Sequence, residues 1–192
     1  MSDAPIHRRA PVPVGDVVPG DPPVPVTVWF VPPPHAGETV SMPLGYRLVH
    51  DLTYDGELVV DLTVGPQLAR AVMAAGRRFQ QPRGRLPGRE PAAMVVAGRP
   101  STDLDLTQLT AGAASRLRPG GSLAVVHPHN QTVLAETVAA GRAAGLTYLQ
   151  HIVASTQPAG ASNRPPIHSD VIILRRPDTP TDPTIDEEDH HV

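Results

Sequence analysis

Apolar residues along this chain fall into short unbroken runs separated by stretches with helical spacing. Val26–Val31, Leu58–Leu62, Ala93–Ala97, Leu123–His127, Thr147–Ala154 and Val171–Leu174 carry few interleaved polar positions, the pattern of strands buried on both faces. Leu44, Leu48, Val49 and Leu52 share a helical face, with Pro43 near its start. A second helix is predicted from Pro66 to Ala75, with Leu68, Val72 and Met73 facing a sheet and Gly76 as its stop. Arg77–Gln80 reads as a brief strand, and the Pro-, Gly- and Arg-rich Gln81–Glu90 as a loop. Leu106, Leu109, Ala113 and Leu117 mark a third helix, capped by Thr102 or Asp103, and Arg118-Pro-Gly-Gly121 is expected to turn the chain after it. Asn130 caps a fourth, which runs through Ala144 and ends at Gly145. Strands alternating with helices predict an α/β domain built on one parallel sheet with helices on both faces and right-handed crossovers. In such a sheet, ligands bind beyond the carboxyl ends of the strands.

The ends of the chain break this pattern. Residues 1–25 include Pro11, Pro13, Pro19, Pro22, Pro23 and Pro25, a density that disfavours both helix and ladder and predicts a disordered arm. Residues 177–192 repeat Asp, Thr and Pro before closing on Asp186-Glu-Glu-Asp-His-His-Val192, and are expected to form a disordered acidic tail. His190 and His191 lack the fixed geometry a metal site needs. The expected domain is therefore residues 26–176.

Composition narrows the chemistry. All sixteen basic residues are Arg, the formal net charge is -3, and only 3% of residues are aromatic. No strongly basic nucleic-acid surface is dictated, and little is available for base stacking. The chain has no cysteine, which removes thiolate nucleophiles, thiolate metal sites and disulfides. No apolar run follows Arg8-Arg9 and none is long enough to span a membrane, so a cytoplasmic protein is expected.

The richest segment is Glu57-Leu-Val-Val-Asp-Leu-Thr-Val-Gly-Pro-Gln67, an apolar strand ending in Asp61 that turns at Gly65 into a helix. It has the frame of a nucleotide-binding strand-turn-helix with most of the glycines replaced. Together with Leu117-Arg-Pro-Gly-Gly-Ser-Leu-Ala-Val-Val126, the helix ending in Ala144-Gly-Leu-Thr-Tyr-Leu-Gln-His-Ile-Val153, and His168-Ser-Asp-Val-Ile-Ile-Leu-Arg-Arg176, it resembles class I S-adenosylmethionine-dependent methyltransferases. Within that class the order is most similar to bacterial DNA adenine and cytosine amino-methyltransferases, over residues 26–176. The resemblance implies a single Rossmann-like methyltransferase sheet with helices on both faces and a late antiparallel strand pair, and S-adenosylmethionine as the cofactor. It also implies Asp61, Thr63 and Gly65 as the surviving cofactor-binding positions.

Three departures bear on activity. Leu62, Thr63, Pro66 and Gln67 replace the residues that the family's Asp-Pro-Phe-x-Gly-Ser-Gly loop would place there. The carboxylate that would hold the ribose at the end of the second strand is missing, since Gln80-Gln-Pro-Arg83 follows Arg77-Arg-Phe79 and no acid appears before Glu90. After Ala97 stands Gly98-Arg-Pro-Ser101, where the family has an acceptor, Pro-Pro and an aromatic that stacks on the flipped base.

Other chemistry-bearing residues have structural explanations. Asp103 and Asp105 are placed to cap a helix, and could also act as a displaced acceptor or base. Arg83, Arg85, Arg89 and Arg99 could rim the strand ends towards phosphate, or simply be solvated. His127 and His129 follow a strand, a position suited to acid-base work and equally to a structural turn. His168 and Asp170 are assigned to support of the last strand. No catalytic residue is assigned. The expected function is a methyltransferase-like, catalytically degenerate binding or regulatory module, whose partner is an active methyltransferase subunit or DNA. The alternative is an active, divergent S-adenosylmethionine-dependent methyltransferase acting on DNA or another substrate.

Overall fold

The computed structural model of the chain describes residues 16–18, 24–82, 90–98, 105–129, 131–156 and 166–178. In chain order the elements are β1 (Asp16–Val18), β2 (Val24–Phe30), α1 (Met42–Leu52), β3 (Leu58–Leu62), α2 (Gln67–Ala74), β4 (Arg78–Gln80), β5 (Ala92–Gly98), α3 (Leu106–Arg116), β6 (Leu117–Pro128), α4 (Gln131–Ala143), β7 (Thr147–Ser155) and β8 (Ile167–Arg175). The strands form one sheet in the order β1-β2-β7-β8-β6-β5-β3-β4. The pairs β2–β7, β3–β4, β3–β5 and β5–β6 are parallel. β8 runs antiparallel between β6 and β7, so the late antiparallel pair is present.

Each face of the sheet carries its own core. Trp29, Val59, Met94, Val96, Ala124, Val126 and Ile173 pack with Leu44, Leu48 and Val49 of α1 and Leu68 and Val72 of α2. On the other face Val60, Val95, Leu123, Val125, Ile172 and Leu174 pack with Leu109 and Ala113 of α3, and with Leu134 and Val138 of α4. Consecutive residues of the central strands are buried on opposite faces, which explains why these strands read as unbroken apolar runs. Trp29 is 1% exposed, and the Arg47 guanidinium lies 4.4 Å from its ring centroid, which pins α1 across β2.

The predicted stops at Gly76 and Gly145 adopt φ of +71° and +78°, the left-handed conformation that glycine tolerates best. The third helix is capped by Asp105, whose carboxylate accepts from the Gln108 N–H at 2.9 Å. Thr102 and Asp103, the caps expected from sequence, lie outside the described residues. Three strands extend further than the apolar runs imply. β1 lies within the Pro-rich arm, in the Pro-free stretch between Pro13 and Pro19, and pairs with Val24–Val26. β6 begins at Leu117, so Pro119-Gly-Gly121 is a bulge inside a strand where a turn is expected; the β5–β6 register shifts between Ala92↔Leu117 and Met94↔Ser122. β8 begins at Ile167 and so carries His168, Ser169 and Asp170 into the sheet.

Candidate functional site

The chain passes from β3 out to β4, then returns to β5 on the other side of β3. The carboxyl ends of β3 and β5 therefore flank a topological switch point, the crevice where open α/β sheets bind ligands. Asp61 lies there, fully buried and paired in register with Val96; Leu62 pairs with Ala97. The Thr63 N–H and Oγ1–H both donate to Asp61 Oδ1 at 2.7 Å, folding the loop back onto the strand end. Asp61 Oδ2 is buried with no hydrogen-bond partner. Burial raises the Asp61 pKa above its ordinary carboxyl value, and the two Thr63 hydrogen bonds only partly offset this. The loop thus holds Asp61 by one oxygen in a dry setting.

Two residues that sequence reasoning passed over, Glu38 and Thr39, lie across this crevice. The Thr39 N–H donates to Val64 O at 3.0 Å, and the Val64 N–H returns a bond to Thr39 Oγ1 at 2.9 Å. Gln67 Nε2 donates to Glu38 Oε1 at 3.1 Å, leaving Glu38 Oε2 buried without a partner. A Cβ added to Gly65 would lie 2.9 Å from Glu38 Cγ, and one added to Gly98 would lie 2.9 Å from both Thr39 Cγ2 and Oγ1. The two glycines at the strand ends, where a backbone could approach a bound nucleoside, are thus covered by the chain's own side chains. Gly65 also has φ of +99°. Gly65→Ala is therefore expected to lower stability by about 2 kcal/mol, read as a fall in the urea midpoint at unchanged m.

Asp61, Thr63 and Gly65 are thus brought together in one loop. At the second-strand position, Gln80 Oε1 accepts from Arg116 Nη2 at 2.6 Å, and Arg116 also bonds the Glu90 carbonyl. Glu90, the first acid after this strand, pairs with Arg78. Arg83, Arg85, Arg89, Arg99, Pro100, Ser101, Asp103, His190 and His191 lie outside the described residues.

A second polar cluster forms where β8 separates β6 from β7. Asp170, fully buried, accepts from His129 Nδ1 at 2.6 Å through one oxygen and from His151 Nε2 at 2.8 Å through the other. Burial raises the Asp170 pKa; the bonds from His151 and His129, and their charge, more than reverse this and hold it below the ordinary value. Burial, the larger cause, and the negative charge of Asp170 raise the pKa of Tyr148. His127 Nε2 shares a 2.9 Å hydrogen bond with Thr137 of α4. His168 Nε2 donates to Val31 O at 3.0 Å, joining the start of β8 to the segment after β2. This bond suits the strand role expected for His168, and the two imidazole bonds of Asp170 tie β8 to β7 and to the end of β6. Among the described residues, no group of three or more His, Cys, Asp or Glu has the arrangement of a metal site, and no helix is long and apolar enough to cross a membrane.

No protein-family model and no curated protein sequence matches the chain. Solved structures do. A TehB-like S-adenosylmethionine-dependent methyltransferase from Corynebacterium glutamicum aligns with a TM-score of 0.53 at 11% identity, over 71% of this chain and 88% of that one. A methyltransferase from Pyrococcus furiosus aligns at 0.50 and 12% identity, covering 77% and 88%. A predicted O-methyltransferase from Agrobacterium tumefaciens aligns at 0.50 and 13% identity, covering 71% and 81%. At these identities the likeness establishes the fold: a class I methyltransferase-type α/β sheet.

Proposed function

We propose that this methyltransferase-type domain does not transfer methyl groups, and serves as a binding or regulatory module descended from DNA amino-methyltransferases. The observation that carries the reading is the occupied switch-point crevice. Glu38 covers Gly65, and Thr39 covers Gly98 and is hydrogen-bonded in both directions to Val64. Glycines at strand ends serve nucleotide binding only where ligand atoms can reach the backbone. The Gln80 amide standing near the second-strand end, bonded to Arg116, and the missing acceptor-Pro-Pro-aromatic sequence after Ala97 point the same way. The partner class we favour is protein, an active methyltransferase subunit, because the net charge of -3 gives no general attraction to DNA.

Calorimetric titration with S-adenosylmethionine tests this directly. The expected result is no saturable heat up to about 1 mM ligand, weaker than the micromolar-to-millimolar affinities enzymes have for their substrates. Saturable micromolar binding would overturn the proposal. It would favour the second reading, an active divergent methyltransferase, which has one observation on its side: Asp61 and Gly65 are retained, and Asp61 keeps one buried oxygen unpartnered. DNA mobility shifts across a salt series separate the partner classes, since binding that weakens steeply with salt would implicate phosphate contacts.

A further inference from the structure

Asp170 on β8 contacts one imidazole from each neighbouring strand segment, using a different carboxylate oxygen for each. The two histidines are held in different ways. His151 Nε2 faces the carboxylate and its side chain is 15% exposed; His129 Nδ1 faces it and its side chain is 42% exposed. When neutral, an imidazole has a single N–H, and the carboxylate claims it. His129 is thereby set in the Nδ1–H form, with Nε2 as a lone-pair acceptor on a side chain that is 42% exposed. This is the geometry of a carboxylate-oriented general base.

The position suits that role. Val126 pairs with Gly98, so His129, just past the end of β6, lies three residues beyond the level at which β5 ends. Among the described residues, the charged group bonded to it is Asp170 on β8, which also bonds His151 on β7; His127, two residues back on β6, is engaged by Thr137 of α4.

We infer that His129 is a proton-transfer residue, with Asp170 as its positioning residue, acting on a ligand that presents a hydroxyl, an amine or a bound water to Nε2. In the step, the O–H or N–H bond of the nucleophile breaks and its proton joins Nε2; as the freed electron pair bonds an electrophilic carbon, the bond from that carbon to its leaving group breaks and the leaving group departs with that bond's electron pair. The assignment is independent of the cofactor crevice and stands whether or not S-adenosylmethionine binds.

Two measurements on the full chain test it. Nitrogen-15 NMR of the parent at a pH where imidazoles are neutral should show His129 as the Nδ1–H tautomer; the commoner Nε2–H tautomer would overturn the assignment. With 4-nitrophenyl acetate as the probe, His129 takes a proton from water as its oxygen bonds to the acetyl carbon. The bond to 4-nitrophenolate breaks, giving acetate, and the imidazolium returns its proton to solvent. His129→Gln is expected to lower this rate by at least about tenfold, the lower part of the range for general-base catalysis. The exposed control His35→Gln, whose ring is not set by a carboxylate among the described residues, should leave it unchanged. Equal rates for parent and His129→Gln, or equal losses in the two variants, would overturn it. Asp170→Asn should move His129 towards the Nε2–H tautomer and lower the rate. If that variant fails to fold, the parent tautomer and the His129→Gln rate decide alone.

Discussion

Asp170→Ala is expected to lower the unfolding free energy at pH 7 by about 4 kcal/mol, within the range for removing one member of a buried, hydrogen-bonded charge cluster. Both Asp170 oxygens are engaged and the side chain is fully buried. Its loss strips two imidazoles of their acceptor, one on β7 and one just past the end of β6, the two strands that flank β8. The effect should depend on pH in one direction. The folded-state pKa of Asp170 lies below its ordinary value of 3.8, so its contribution is full above that value and disappears as pH falls through the lower, folded value. Urea unfolding of the parent and variant from pH 7 to pH 2 should therefore show curves that are far apart at neutral pH and converge below about pH 4, near the carboxyl value. A constant gap would mean the cost comes from packing and not from the carboxylate.

Gly121→Ala is expected to cost about 3 kcal/mol, at the upper end of overpacking penalties, and to lower Tm by roughly 6–12 °C. A methyl there would meet the carbonyl oxygens of Arg118, Ala93 and Ala92 at 2.9, 3.0 and 3.1 Å. All three are backbone atoms, two of them on β5, so no rotamer change relieves the contact. Gly56→Ala is the matched control: Gly56 has φ of +74° but open space around its added methyl. It should lose only about 1 kcal/mol of backbone strain. Thermal melts of both variants separate close strand approach from torsional preference. If the two shifts are equal, the Pro119-Gly-Gly121 bulge matters only as a turn.

Much of this fold could be read from residue order because burial on two faces leaves a plain signature. Runs such as Leu58–Leu62 and Ala93–Ala97 have no polar face to show, and Leu44, Leu48, Val49 and Leu52 have one apolar side. The glycine stops were legible because Gly76 and Gly145 need a left-handed backbone that few other residues adopt. Strand ends were less legible. His168, Ser169 and Asp170 are polar, so β8 looked shorter than it is; they enter the sheet because neighbours on both sides satisfy them. At Leu117–Gly121, Pro and Gly signalled a turn, but Gly121 lets the chain press against β5 and continue as a strand.

The same division runs through the site. Asp61, Thr63 and Gly65 could be picked out because the hydrogen bonds from Thr63 to Asp61 and the turn at Gly65 are local, spanning only a few residues. Glu38 and Thr39 gave no signal. Thr39 lies 25 residues from its partner Val64 and Glu38 lies 29 from Gln67, and only the folded chain brings them over the crevice. The same holds for Asp170, which is 41 residues from His129 and 19 from His151. Periodicity and turn chemistry, both short-range, determine the α/β architecture and the position of its switch point. Strand order decides what fills that crevice, and which two histidines share one carboxylate. β8 inserts antiparallel between strands that precede it in the chain, and spacing along a sequence does not encode that placement.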